Sequence, residues 1–194
     1  EGLASSFPLP TSLGGTQVKF NGIAAPLFFA SGLQINAQVP SSLLGAASAT
    51  LEVVGPHGND VSTVPLASVS PGIFSFTSDG KGPGAILHAD SFAPVTSGNP
   101  ARPGEIVLLY ATGLGQTNPP VRDGQQATEA PITSSYSISI GGQPAEGRYA
   151  GLAPGFAGLY QVNAVVPPGL AAGTYNVTVT VSGGTSNTVT LAVR

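Results

Sequence analysis

The sequence lacks cysteine, methionine and tryptophan, and it has few charged residues. The absence of cysteine excludes disulfide bonds and thiolate metal sites. Charged residues make up 8% of the chain, whereas about 25% is usual for soluble domains. Six basic residues against nine acidic ones leave no basic patch, which argues against nucleic-acid binding. No apolar run reaches the ~20 residues that a membrane-spanning helix needs, and no signal peptide is recognisable.

The composition favours an exported bacterial protein. A surface of Ser, Thr, Asn, Gln and Gly has little like-charge repulsion, which suits a protein that is tethered or assembled. A secreted eukaryotic sandwich would often contain a disulfide, so the lack of cysteine favours a bacterial surface protein. The lack of an initiator methionine indicates a processed chain or a piece of a longer one. We therefore expect an extracellular or cell-surface location without membrane insertion.

Glycine and proline are frequent and leave little room for helices. The chain has 27 Gly and 18 Pro, and no window has a sustained helical apolar period. Residues 175–181 alternate apolar and polar side chains, as do residues 189–193, and Gly183-Gly184 between them indicates a tight hairpin. The continuous apolar run at residues 106–110 indicates a strand covered on both faces. The sequence therefore predicts an all-β fold.

An internal repeat divides the chain. The stretch QINAQVP at residues 34–40 returns as QVNAVVP at residues 161–167. The turn signals at residues 21–22 and 141–142 also follow equivalent strands. We predict two tandem immunoglobulin-like β-sandwiches joined by a β-hairpin linker. The predicted boundaries are 1–70 for the first sandwich, 71–98 for the linking hairpin and 99–194 for the second sandwich.

The two copies differ at their start. The apolar run at residues 106–110 precedes the second copy, whereas the first copy begins where the corresponding strand should already have ended. The first sandwich is therefore predicted to lack its first strand, which exposes backbone donors and acceptors along an edge. Three explanations stay open: the strand lies upstream in a longer chain, the domain closes without it, or another subunit donates it.

An ordered series of motifs resembles the Solibacter-type uncharacterised C-terminal domain family of acidobacterial exported proteins. The motifs are LPTSLGG at 9–15, NG at 21–22, APL at 25–27, residues 34–40, PGIF at 71–74, YATGLG at 110–115, AGLAPG at 150–155 and GTSN at 184–187. Each half also resembles the IPT/TIG branch of immunoglobulin-like folds. The resemblance implies an exported, modular protein, and it implies no functional residues.

The candidate catalytic residues favour a protein that is not an enzyme. His57, with Asp60, lies in a predicted polar turn, where a His/Asp pair is the functional alternative, but no G-x-S-x-G elbow accompanies it. His88 lies in an apolar strand, where we expect it to pack or form a hydrogen bond. Most of the nine acidic residues adjoin Gly or Pro, as turn-forming carboxylates do, although a spatial pair for glycoside hydrolysis is an alternative. We predict no catalytic residue and no cofactor.

Two segments of the sequence are candidate ligand sites. Residues 79–82 (DGKG) predict a hairpin turn rather than a calcium loop, because one Asp beside a Lys lacks the alternating acidic ligands of such loops. Asp90, across the hairpin, would be the second ligand of a weak single-ion site. For sugar binding, Phe156 in the long loop at residues 151–158 is the best exposed aromatic, with loop packing as the alternative. Asn176 begins a glycosylation sequon but also continues the polar face of a strand.

Three functions follow. The first is a non-catalytic extracellular structural or adhesion module of a bacterial surface protein, acting as a spacer, attachment or assembly unit. The second is a carbohydrate-binding module, and the third is a subunit of an extracellular filament assembled by strand donation. The expected partners are the remainder of a larger surface protein, neighbouring copies of the chain, or a glycan.

Overall fold

The structure, a computed structural model, describes residues 1–56 and 58–194 and is all-β within them. Helix in this part of the chain is limited to a 3₁₀ turn at Ser41–Leu43. No helix in the described residues is long and apolar enough to cross a membrane. Antiparallel sheets enclose two apolar cores, which confirms the predicted fold of two β-sandwiches. Unit 1 comprises residues 1–68, 120–128 and 154–158, and unit 2 comprises residues 69–119, 129–153 and 159–194.

The strands of unit 1 form two antiparallel sheets around a small core. They are β1 (Gly2–Leu3), β2 (Gln17–Phe20), β3 (Ile23–Ala24), β4 (Leu27–Ala30), β5 (Ile35–Ala37), β6 (Ser48–Gly55) and β7 (Gly58–Pro65). Among the described residues the strand orders are β1-β4-β5 and β3-β2-β6-β7. The core contains residues from both sheets, namely Val18, Phe20, Ala25, Leu27 and Ala49.

Unit 2 repeats this plan around a larger core. Its strands are β8 (Gly72–Ile73), β9 (Ile86–His88), β10 (Ile106–Thr112), β11 (Ala130–Pro131), β12 (Tyr136–Ile140), β13 (Gln143–Ala145), β14 (Gly147–Leu152), β15 (Tyr160–Val165), β16 (Gly173–Val181), β17 (Gly184–Thr185) and β18 (Val189–Val193). One sheet has the order β11-β14-β15-β10-β8, with β9 also paired to β10, and the other has the order β13-β12-β16-β17, with β18 also paired to β16.

The duplication is visible in turns and bulges as well as in strand order. The β2–β3 turn at residues 21–22 and the β12–β13 turn at residues 141–142 both have two consecutive positive φ angles, as a type I′ hairpin turn requires. The pairing of β4 with β5 shifts between Leu27 and Phe29, and the pairing of β14 with β15 shifts between Gly147 and Tyr149. These two shifts lie at equivalent points. If β3 is left out, strands β1, β2, β4, β5, β6 and β7 therefore correspond, in that order, to β11, β12, β14, β15, β16 and β18.

Strand β10 is central to unit 2. It pairs with β15 along one edge and with β8 and β9 along the other. Val107, Leu109 and Ala111 are fully buried, and Leu108 on the opposite face is 4% exposed. The prediction of a strand covered on both faces therefore holds at the centre of β10, whereas Ile106 on the second face is 39% exposed and Tyr110 is half-buried. Gly113 follows it at φ +71°, where a side chain would overlap the carbonyl oxygen of Ser70.

The segment predicted as a linking hairpin, residues 71–98, supplies β8 and β9 to the larger sheet of unit 2. Asn187 fastens this segment to the rest of the unit. Its Oδ1 accepts the N–H of Ile73 at 2.7 Å, and its Nδ2 donates to the carbonyl oxygens of Ile73 at 2.9 Å and Gly80 at 2.6 Å. One amide side chain thus replaces part of a strand ladder.

Candidate functional site

The candidate catalytic histidines do not form a catalytic arrangement in the described part of the chain. His57 lies outside the described residues, and Asp60 is exposed on β7. His88 is buried, with Nδ1 2.7 Å from the Glu105 carboxylate and Nε2 3.2 Å from the carbonyl oxygen of Asn99. Both partners accept hydrogen bonds, so the ring donates to both only when it is protonated. His88 therefore ties β9 to the segments that flank it.

The carboxylates are dispersed. Glu52 lies 3.5 Å from Lys19, and Glu146 lies 3.2 Å from Arg148 at an exposed site. Residues 1–56 and 58–194 contain no group of three or more His, Asp or Glu side chains placed to hold a metal ion. Glu52 and Glu146 thus each form an ion pair with a basic residue, while Glu105 contacts the buried His88.

Asp79 organises its own loop. Its Oδ1 accepts hydrogen bonds from the Thr77 hydroxyl at 2.6 Å and from the N–H of Lys81 at 3.0 Å. The hydrogen bond from Thr77, followed by that from Lys81, lowers the pKa of the Asp79 carboxyl below its ordinary value. One oxygen of the Asp79 carboxylate, Oδ1, is therefore engaged by donors of the loop itself.

Phe156 lies in the segment of unit 1 formed by residues 154–158. Its carbonyl oxygen accepts the N–H of Ala127 at 2.8 Å, and the N–H of Gly155 donates to the carbonyl oxygen of Ala127 at 2.9 Å. The Phe156 side chain is about half exposed, at 49%. The backbone thus fixes the loop while the ring remains at the surface.

Unit 2 has an open groove of about 410 Å³ that the sequence did not indicate. Its lining is mostly apolar and includes the half-exposed Phe76 together with Thr96, Thr174 and Thr190. No local sequence pattern indicates this groove, because its lining comes from segments far apart along the chain.

The most distinctive feature of unit 1 is the free edge of β5. Within the described residues, the sheet β1-β4-β5 ends at β5, whereas the equivalent series β11-β14-β15 continues into β10. In unit 2, β10 pairs with β15 over six residues, and the N–H of Val166 continues the ladder to the carbonyl oxygen of Glu105 at 2.9 Å. The described part of unit 1 supplies no counterpart of β10.

Burial follows the same asymmetry. Val166 is fully buried, but Val39 at the same position of the repeat is 48% exposed. Val162 and Ala164 are fully buried, while their equivalents Ile35 and Ala37 are only half-buried.

The facing sheet shows the same difference. Phe20 pairs with Leu51 in unit 1, and Ile140 pairs with Val177 in unit 2. Phe20 and Ile140 are equivalent positions, because each directly precedes the type I′ turn of its unit. Leu51 therefore corresponds to Val177, which is fully buried, whereas Leu51 is half-buried. Unit 1 thus leaves part of its core side uncovered along β5.

The backbone of β5 offers hydrogen bonds at this edge. The N–H of Gln38 donates to the carbonyl oxygen of Pro26 on the β4 side at 2.8 Å. Because successive residues of a strand point their backbone groups to opposite edges, the N–H and C=O groups of Ile35, Ala37 and Val39 point away from β4. These positions match Val162, Ala164 and Val166, the last of which donates to the β10 side.

The chain that follows β5 is held by side-chain hydrogen bonds to residues 123 and 124. Gln38 replaces the apolar Val165 of the other copy, and its Oε1 accepts the N–H of Gly124 at 2.8 Å. The Asp123 carboxylate accepts the N–H of Ser41 at 2.9 Å. These contacts fix the end of β5, and the edge of β5 that faces away from β4 stays unpaired within the described residues.

Charge distinguishes β5 from the other long edge of unit 1. Natural proteins often protect free edges with charged side chains. The sequence has no charged residue between Lys19 and Glu52, so β5 has no such protection. Strand β7, in contrast, contains Asp60, and Ser62 stands where register places the buried Val189 of unit 2. Strand β7 therefore has polar and charged side chains beside the exposed Val61, whereas β5 has no charged residue.

No protein-family model matches the chain, and no curated protein gives a significant match. Two of the solved structures that resemble it are SGBP-B proteins. One is SGBP-B of a Bacteroides ovatus mixed-linkage glucan utilization locus, in complex with a mixed-linkage heptasaccharide (TM-score 0.39, 12% identity, covering 100% of this chain and 46% of that chain). The other is SGBP-B from a complex xyloglucan utilization locus in Bacteroides uniformis (TM-score 0.33, 13% identity, covering 97% of this chain and 46% of that chain).

The chain spans less than half the length of either structure. At these TM-scores the likeness does not indicate a function for this chain.

Proposed function

We propose that the chain is a non-catalytic structural module of a bacterial surface protein, joined to other polypeptide by strand addition at unit 1. The observation that carries the proposal is the free, uncharged edge of β5, whose equivalent in unit 2 is paired with β10. Strand addition gives affinity through main-chain hydrogen bonds and specificity through alternate side chains.

The composition supports the extracellular setting of this proposal. A surface with 8% charged residues has little repulsion to oppose assembly. The resemblance to the Solibacter-type domain family agrees with an exported module and stays a prediction. No cofactor enters the proposed role.

Thiol labelling tests the proposal, because the cysteine-free sequence makes any introduced cysteine unique. We expect Val39→Cys to react with a maleimide in the isolated chain and to be protected in the native surface protein on intact cells. Phe92→Cys, at a loop position that is 63% exposed in unit 2, is the control and should react in both settings. Equal labelling of Val39→Cys in both settings would show that nothing completes the edge.

Carbohydrate binding is the second candidate, and the groove of unit 2 favours it. An aromatic residue is a flat apolar platform that suits a sugar face, and Phe76 lines the groove together with Thr96, Thr174 and Thr190. A glycan array with the wild-type chain tests this role. A hit that is lost in Phe76→Ala but kept in Phe156→Ala would assign binding to the groove, and the reverse would assign it to the loop.

A further inference from the structure

The chemistry of the strand that completes unit 1 can be inferred from unit 2, and this inference rests on the proposed function. We propose that the β5 edge binds an extended polypeptide segment with the chemistry of β10, a short uncharged strand with aliphatic side chains at alternate positions. In unit 2 such a strand already occupies the equivalent place. Its hydrogen-bonding partner β15 shares the repeat QVNAVVP/QINAQVP with β5.

The register of the added strand follows from the pairing of β10 with β15. Val107 lies opposite Ala164, and Leu109 lies opposite Val162. Transferred to unit 1, the residue at the position of Val107 lies opposite Ala37, and the residue at the position of Leu109 lies opposite Ile35. The strand runs antiparallel to β5, and its aliphatic side chains cover the half-buried side of the core.

The sequence of β5 and its flanking segments offers no ion partner to a charged occupant. From Phe20 to Leu51 the sequence has no charged residue that could neutralise an Asp, Glu, Lys or Arg of the incoming strand. A charge buried without a partner is strongly unfavourable. Val39, which is 48% exposed, instead offers an apolar contact to an aliphatic side chain.

The β10 of a second copy is not the donor. In unit 2, β10 is paired on both edges, and Val107, Leu109 and Ala111 are fully buried. Its release would dismantle the core of that copy. The occupant is therefore a separate segment of β10 chemistry rather than β10 of a neighbouring chain.

A synthetic peptide with the sequence of residues 104–113 and the change Glu105→Gln (GQIVLLYATG), which leaves it uncharged, tests the proposal against the intact chain. We expect saturable binding, with NMR shift changes centred on Ile35, Ala37 and Val39. A matched peptide with Val107→Asn and Leu109→Asn should bind roughly tenfold or more weakly, which corresponds to a loss of about 1.4 kcal/mol. This peptide keeps the backbone donors and acceptors and loses only the aliphatic contacts.

Protein variants locate the binding. Ala37→Pro removes an N–H that points away from β4, so it should abolish peptide binding while the β4–β5 pairing persists. Val39→Asp places a charge at the edge where the added strand binds, and it should weaken binding roughly tenfold or more. Val39→Asp also serves as the second variant if Ala37→Pro fails to fold.

Two results would overturn the proposal. The first is the absence of peptide binding to a folded wild-type chain. If Val39→Cys were nevertheless protected on cells, the proposed function would stand and the strand that completes unit 1 would have a different chemistry. The second is a dimer in sedimentation velocity that protects the β5 amides and is lost in Ala37→Pro, which would make β5 of a second copy the occupant.

Discussion

At the scale of the residue, Asn187 contributes three hydrogen bonds to the backbone of residues 73 and 80 with a single side chain. We expect Asn187→Ala to lower the free energy of unfolding of unit 2 by about 2 kcal/mol, because it leaves buried backbone groups of Ile73 without partners. Urea denaturation followed by tyrosine fluorescence measures this loss.

The neighbouring Thr188→Ala is the control for this experiment. Thr188 is exposed, so its substitution should change the free energy of unfolding by less than about 0.5 kcal/mol. Equal effects of the two substitutions would contradict the role assigned to the Asn187 amide.

Asp79 makes the order of its loop dependent on pH. The hydrogen bond from the Thr77 hydroxyl, followed by that from Lys81 N–H, lowers the pKa of the Asp79 carboxyl below the ordinary value of 3.8. A lowered folded-state pKa means that the contribution is complete above the ordinary value and is lost as pH falls through the folded pKa. An NMR acid titration should therefore show the Lys81 amide shifting with a midpoint below 3.8.

Asp79→Asn is the control for the acid titration and should remove the transition at the Lys81 amide. A midpoint in the wild-type chain at or above the ordinary value of 3.8 would show that the loop does not stabilise the carboxylate.

At the scale of the element, strands β5 and β15 share a sequence pattern but differ in burial. Val166→Ala removes two methyl groups from a fully buried site and should lower the free energy of unfolding of unit 2 by about 2 kcal/mol. Val39→Ala, at a site that is 48% exposed, should change that of unit 1 by less than about 0.5 kcal/mol. Urea denaturation resolved by NMR for each unit measures both changes.

Equal losses from Val39→Ala and Val166→Ala would mean that the isolated chain already covers the β5 side of unit 1. That outcome would remove the observation on which the proposed strand addition rests.

At the scale of the whole molecule, the two units should unfold separately. The core of unit 2 includes fully buried residues from both of its sheets, whereas unit 1 has a small core and half-buried side chains along β5. All five tyrosines, at positions 110, 136, 149, 160 and 175, belong to unit 2. Because tryptophan is absent, tyrosine fluorescence reports on unit 2 alone.

We therefore expect far-UV circular dichroism to show a first loss of signal at lower urea than the tyrosine transition. Non-coincident transitions are the established sign that unfolding is not two-state. Coincident transitions would show that the units unfold together and that unit 1 is as stable as unit 2.

Local patterns predicted much of the fold. The alternation at residues 175–181 and the continuous apolar run at residues 106–110 each became a strand of the expected kind, β16 and β10. The hairpin turn predicted at residues 183–184 is one residue late, because Val181 pairs with Gly184 and the turn consists of Ser182 and Gly183. Such signals are local, so a single window of sequence contains them.

The difference between Gln38 and Val165, which occupy the same position of the repeat, has a cause that the sequence does not show. The sequence revealed that the repeat changes chemical class at this position, but its reason lies in Gly124, whose N–H the Gln38 side chain accepts. The two residues are far apart along the chain, and no periodicity connects them. The groove beside Phe76 was missed for the same reason.

The sequence by itself determined that the chain is all-β and built twice from one pattern, because alternation, turn residues and repeats depend only on neighbours along the chain. Only the tertiary structure decided which strand edge is free and which equivalent side chains are buried. Burial and edge pairing depend on segments that are distant in sequence, so Val39 and Val166 look alike in the repeat and differ only in the fold.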